Sequence, residues 1–154
     1  MKLSLRILIF LILNFTALSL GGLFTSGGVN SEWYAELIQA PWTPPGYIFG
    51  LAWTTIMICF SVYMAITYQR ITERKRLLLL FLFQLLLNIS WNPLFFYFQF
   101  TIISLIVIVL LTLLMFYILI KFYPFNKGYS AMLVPYCIWL CIATSLNMYI
   151  VIYN

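Results

Sequence analysis

Five apolar runs, each close to the roughly 20 residues a helix needs to cross a hydrocarbon core, decide what this chain can fold into. They cover about residues 3–24, 46–68, 77–98, 102–122 and 129–153, and none has a charge in its central part. Charged residues make up 7% of the chain and hydrophobic ones 65%, whereas a soluble domain carries about 25% charged residues. No soluble fold of this length could hide so much apolar surface. The expectation is an all-α membrane protein, one domain over residues 1–154, built as a five-transmembrane-helix bundle. The first run exceeds the 7–15 residues of a cleaved signal core and is read as a retained helix.

The basic residues then orient the bundle. Lys2 and Arg6 flank the first span, Arg70, Arg74, Lys75 and Arg76 lie between the second and third, and Lys121 and Lys127 lie between the fourth and fifth. With five spans, all eight fall on one side. The N-terminus is therefore expected in the cytoplasm and the C-terminus outside, in a cell membrane. The basic run at 69–76 is too short and too close to two spans to suggest nucleic acid. It reads as a topology signal that touches anionic lipid.

The first connection, Thr25 to Pro45, is far longer than the 2–8 residues usual between bundle helices. Asn30 or Ser31 can cap a short helix there, with Glu32 in its first turn. Trp33 and Leu37 would share one face and Tyr34 and Ile38 an adjacent one. Pro41 is expected to stop that helix, Thr43 to cap the second span and Pro44 to open it. An ordered loop with an aromatic face reads as a lid over the bundle mouth. The competing reading is an interfacial Trp/Tyr belt that only anchors the protein. In the first span, Ala17 and Gly21 form a small-xxx-small pair suited to a seam between two copies.

The chain has no histidine, which removes His-based general-base catalysis, Ser-His-Asp systems and His metal ligation. Cys59, Cys137 and Cys141 lie in apolar runs and read as small buried hydrophobes. No Asp, Glu or His lies within a span to relay protons, which disfavours a proton-coupled transporter. What remains is aromatic and amide chemistry. Gln84, Asn88, Trp91 and Phe95 share one face of the third span. Uncompensated amides are costly in hydrocarbon, so Gln84 and Asn88 should point inward. There they either bond a neighbouring helix or meet a ligand. Pro93 is expected to kink this helix. The second span aligns Phe49, Trp53, Met57 and Phe60, and the fifth Pro135, Trp139, Ala143 and Leu146. Small Ala143 beside Trp139 leaves room, and flat rings with a few amides suit a flat, largely apolar ligand. No metal is expected and no cofactor is required.

These residues resemble the TspO/MBR family of tryptophan-rich sensory proteins, also called translocator proteins or peripheral benzodiazepine receptors. The resemblance is carried by Trp33-Tyr34 and Leu37, by Pro41-Trp42-Thr43-Pro44-Pro45 with Phe49 and Trp53, by Gln84-x-x-x-Asn88-x-x-Trp91-x-Pro93-x-Phe95-Phe96, and by Pro135-Tyr136-x-x-Trp139 with Ala143-Thr144 and Asn147. It implies a five-helix bundle, often a homodimer, with a ligand pocket closed by the first loop. It implies porphyrins such as protoporphyrin IX, sterols and benzodiazepine-type drugs as ligands. By position the pocket would include Trp42, Pro44, Pro45, Phe49, Trp53, Asn88, Trp91, Trp139 and Ala143, with Trp33 and Tyr34 in the lid. For some bacterial members it also implies light- and oxygen-dependent porphyrin breakdown, in which tryptophans matching Trp53 and Trp139 are implicated. The animal cholesterol motif ends in a basic residue on the fifth helix; nothing after Lys127 is basic here, which puts sterol transport in doubt. Three functions are therefore weighed: porphyrin sensing, transport or sequestration; photo-oxidative porphyrin degradation; and a structural or partner-modulating membrane protein.

Overall fold

The computed structural model describes residues 2–154 and is helical through all five apolar runs. Helix α1 spans Leu3–Gly28, the short α2 Glu32–Glu36, α3 Gly46–Arg70, α4 Arg74–Asn92, α5 Thr101–Asn126 and α6 Val134–Tyr153. Four continuous helical stretches are long and apolar enough to cross a membrane, and the last, the 53 residues Thr101–Tyr153, holds two of the five predicted spans. A 3-10 segment, Lys127–Leu133, joins them. The two halves fold back on each other. Thr112 meets Thr144 at 3.1 Å, and Ser104, earlier in α5, donates to Asn147, later in α6, at 3.1 Å. The fifth predicted span thus starts as a tighter helical linker rather than as an α-helix at Tyr129.

The spanning helices form a ring in the order α3, α1, α4, α5, α6, and α3 and α6 meet least closely where the ring shuts. Outward side chains are aliphatic and open: Leu23 and Ile120 are both 71% exposed. On a soluble monomer such a surface would be an aggregation patch; in a bilayer it is the lipid face.

Two local differences from the sequence expectations have clear causes. Helix α3 begins at Gly46, after Pro45, and no side chain caps it. The residue before a proline is disfavoured in the α region, so Pro44 is driven extended by Pro45 and cannot open the helix. Thr43 instead closes a turn through its N–H to the Ala40 carbonyl at 2.9 Å. The third span does bend at Pro93, as a π-helical turn over Pro93–Tyr97. The following connection is only three residues long, with Gln99 at φ 57°.

Ala17 and Gly21, read as a seam between two copies, are both buried within this chain. Gly21 lies where a Cβ would run into the Asn92 side chain of α4, and Gly28 where one would overlap Phe96. Gly21 and Gly28 are used for close approach of α1 to α4 and its π turn. A second copy would have to use another face of α1.

Candidate functional site

The first connection is ordered and lies against the ends of α4 and α6. Ser31 caps α2 by accepting from the Tyr34 N–H at 3.2 Å. The helix stops at Glu36, well before Pro41, because the next residues turn to α6. The Ile38 N–H donates to Asn154 Oδ1 at 2.9 Å, and Asn154 Nδ2 donates to the Ile38 carbonyl at 3.3 Å. These bonds hold the chain extended. Trp33 meets Phe95 edge-on and Tyr34 leans on Phe96, both with centroids at 5.6 Å. Burial raises the Tyr34 phenol above its ordinary value of 10.0, so this contact is uncharged at neutral pH.

The end of the loop crosses from α6 to α3. Trp42 Nε1 donates to Ser145 Oγ at 3.1 Å, and its ring meets Tyr149 edge-on at 5.4 Å. Four residues later α3 begins. Trp42–Pro45 therefore bridges the two helices that meet least closely. Further along α3 a cleft of about 630 Å³ lies between α3 and the start of α6 and opens to the apolar outer surface, where Leu51 and Ile138 are exposed; no residue of the loop lines it. Ile48, Ala52 and Thr55 form one wall, and Val134, Ile138 and Trp139 the other. Its size lies within the range of about 300–1,000 Å³ typical of small-molecule sites.

Behind the cleft the aromatic residues interlock. Phe49 meets Trp139 edge-on at 5.3 Å, and Trp53 meets Tyr136 edge-on at 5.9 Å. The Tyr136 hydroxyl receives Gln84 Nε2 at 2.8 Å and Asn88 Nδ2 at 2.7 Å. Gln84 Oε1 is buried without a partner in this orientation. Turning the amide would let Oε1 accept the Tyr136 proton, and the two orientations share the same heavy-atom positions. Trp91 stacks on Phe95 at 5.4 Å and donates to Asn147 Oδ1 at 3.2 Å. Trp139 Nε1 is different: it is buried and has no partner among the described residues. An indole N–H usually finds a partner when buried.

The predicted site residues thus fall into three places. Trp139 lines the cleft, with Phe49 against it and Trp53 one turn further along α3. Gln84, Asn88 and Trp91 lie deeper and are engaged with other helices, Gln84 and Asn88 with Tyr136 and Trp91 with Asn147. Trp42, 54% exposed, half-buried Pro44, exposed Pro45 and Ala143, half-buried against the core, lie outside the cleft lining.

The sequence model of the TspO/MBR family matches residues 9–153. The chain belongs to the TspO/MBR family. Among its TspO/MBR relatives, the tryptophan-rich protein TspO of Archaeoglobus fulgidus is 31% identical over 135 residues, 87% of each chain. Protein CrtK of Rhodobacter capsulatus is 32% identical over 130 residues, 82% of this chain and 79% of its own. The translocator protein of Homo sapiens is 29% identical over 124 residues, 78% of this chain and 73% of its own.

Several residues that organise this TspO/MBR site were not singled out as site residues from sequence. Tyr136 and Asn147 anchor the inward amide and indole groups. Asn154, the last residue, fixes the loop. Tyr136 carried only a weak signal, since it is one of several hydroxyls on the fifth span that could have met the two amides on the third. Asn154 carried none, because its partner is a backbone group 116 positions away in sequence.

Proposed function

We propose that this membrane protein binds a flat, largely apolar tetrapyrrole, of which protoporphyrin IX is the representative, in the cleft between α3 and α6, with the first loop as its lid. The observation that supports this most is the Trp139 indole. Its ring walls an apolar cleft of suitable size, and its N–H is buried with no partner, so a small turn of the indole toward the cleft would let a ligand carboxylate or carbonyl accept from it. One indole ring and an otherwise mainly aliphatic lining favour apolar and stacking contact over hydrogen-bond readout. Membrane lipid is the solvent from which such a ligand would enter. We place the N-terminus in the cytoplasm, because the basic residues gather at the end of the bundle away from the loop. The test is a dark titration of purified protein with protoporphyrin IX, read by tryptophan quenching. Saturable quenching supports binding; an unsaturable, linear loss of fluorescence leaves only a packing role for the rings.

A second reading is light- and oxygen-dependent degradation of the bound porphyrin. It is favoured by the spacing of the rings: Trp139 touches Phe49 and Trp53 touches Tyr136, each within edge-to-face distance. Trp139 would touch a porphyrin in the cleft and Trp53 lies behind it through Tyr136, so electrons could pass between an excited porphyrin and the indoles, with molecular oxygen as the oxidant. Illumination of the complex in air should then give a product that is lost in Trp53→Phe or Trp139→Phe. Porphyrin recovered unchanged after illumination rejects this reading and leaves binding intact.

A further inference from the structure

At the end of the bundle away from the loop, two arginines share one ring. The Arg6 guanidinium of α1 lies 5.6 Å from the Tyr68 ring centre, and that of Arg74, in the first turn of α4, lies 5.3 Å from the same centre. Tyr68 itself sits two residues before the end of α3, so three helices converge there. Arg74 Nε donates to the Tyr68 carbonyl at 3.2 Å, which pins its position. Arg6 Nε is buried and has no partner among the described residues. The one acid at this end, Glu73, is taken: its carboxylate lies 3.3 Å from Arg76. Two cations are thus held against one ring with no counter-charge. Tyr68 is half-buried; a cation over such a ring gains only modestly, and like charges brought together repel. The arrangement lacks an anion.

We propose that Arg6 and Arg74, on Tyr68, form a site for a phosphate group, and that its occupant is the phosphodiester of an anionic lipid headgroup. Guanidinium forks match phosphate oxygens in paired hydrogen bonds, which an ammonium cannot do. The Arg6 Nε–H, buried and unpartnered in this position, becomes such a donor when the side chain swings toward the headgroups. The position fits as well. Both arginines lie at the margin of spanning helices, where a long cation reaches the headgroup layer. The site differs from a diffuse basic rim in that Lys75, one residue from Arg74, is no part of it.

The test is native mass spectrometry of the full-length protein in micelles doped with dioleoylphosphatidylglycerol or dioleoylphosphatidylcholine. Wild type should retain phosphatidylglycerol over phosphatidylcholine. Arg6→Gln and Arg74→Gln should each lose about fivefold in retention, the scale expected for one basic contact to an anionic headgroup. Lys75→Gln removes the same charge and should change retention by less than about twofold on that scale. Thermal midpoints in lipid-free micelles check that the variants fold. If millimolar inorganic phosphate displaces the lipid, the site stands with free phosphate as its occupant. Equal losses in all three variants, or equal retention of the two lipids, overturns the proposal.

Discussion

Asn88 on α4 donates its amide to the Tyr136 hydroxyl on α6 at 2.7 Å. Gln84, one turn earlier, reaches the same oxygen at 2.8 Å. One phenol thus ties together two amides that would otherwise sit unpaired in hydrocarbon. The bonds also set the height of α6 against α4, and so place the Trp139 indole three residues on.

Tyr136→Phe removes that shared partner and keeps the ring. Interhelical hydrogen bonds in membranes average about 0.6 kcal/mol each, and buried donors left unpaired add to the cost. The expected loss is about 1–3 kcal/mol, read as a fall in thermal midpoint of roughly 3–8 °C. Trp53 should still find an aromatic edge, so the fluorescence of the folded variant should change little.

Gly28→Ala should disturb the loop from below. A methyl there overlaps Phe96, whereas one at Gly27 meets nothing within 4 Å. Phe96 supports Tyr34, so its displacement loosens the aromatic contact under the loop. Overpacking of this kind costs about 1–3 kcal/mol. Gly27→Ala should be neutral in the same melting assay.

Asn154→Ala should free the loop from above. It loses both bonds to Ile38, each of which contributes on the order of 0.5–1.5 kcal/mol. Glu32 and Glu36 are exposed in this loop, so a glutamate-specific protease reports its opening. Cleavage there should quicken by about fivefold, the equivalent of roughly 1 kcal/mol. An unchanged rate would show that the aromatic contacts alone hold the loop.

The topology has its own check. A reporter that matures only outside the cytoplasm, fused after Asn154, should be active. Activity of a cytoplasm-only reporter at that position would reverse the assigned orientation.

The helices were legible because bilayer thickness and hydrogen-bond saturation leave a long apolar run little choice. The loop was partly legible. Ser31 and Glu32 announced α2, but its early end at Glu36 depends on Asn154, far away in sequence. The start of α3 was misjudged as Pro44 because two adjacent prolines constrain each other more than a capping threonine attracts. Amides at 84 and 88 were known to face inward; whether they meet ligand or helix turned on Tyr136, whose direction no single-helix periodicity reveals. Ala17 and Gly21 signalled close approach, and only the packed bundle shows that both are buried within the chain, with α4 against Gly21.

The most direct test of the central claim is protoporphyrin IX binding to Ala52→Phe in the dark. Ala52 lines the wall of the cleft facing Trp139 and takes no part in the Gln84–Asn88–Tyr136 cluster. A phenyl ring there fills the cleft and leaves the polar core untouched. The account predicts saturable quenching in wild type and loss of at least about tenfold in affinity in Ala52→Phe, about 1.4 kcal/mol, with an unchanged melting temperature. Equal affinity in the two proteins would contradict a ligand site between α3 and α6.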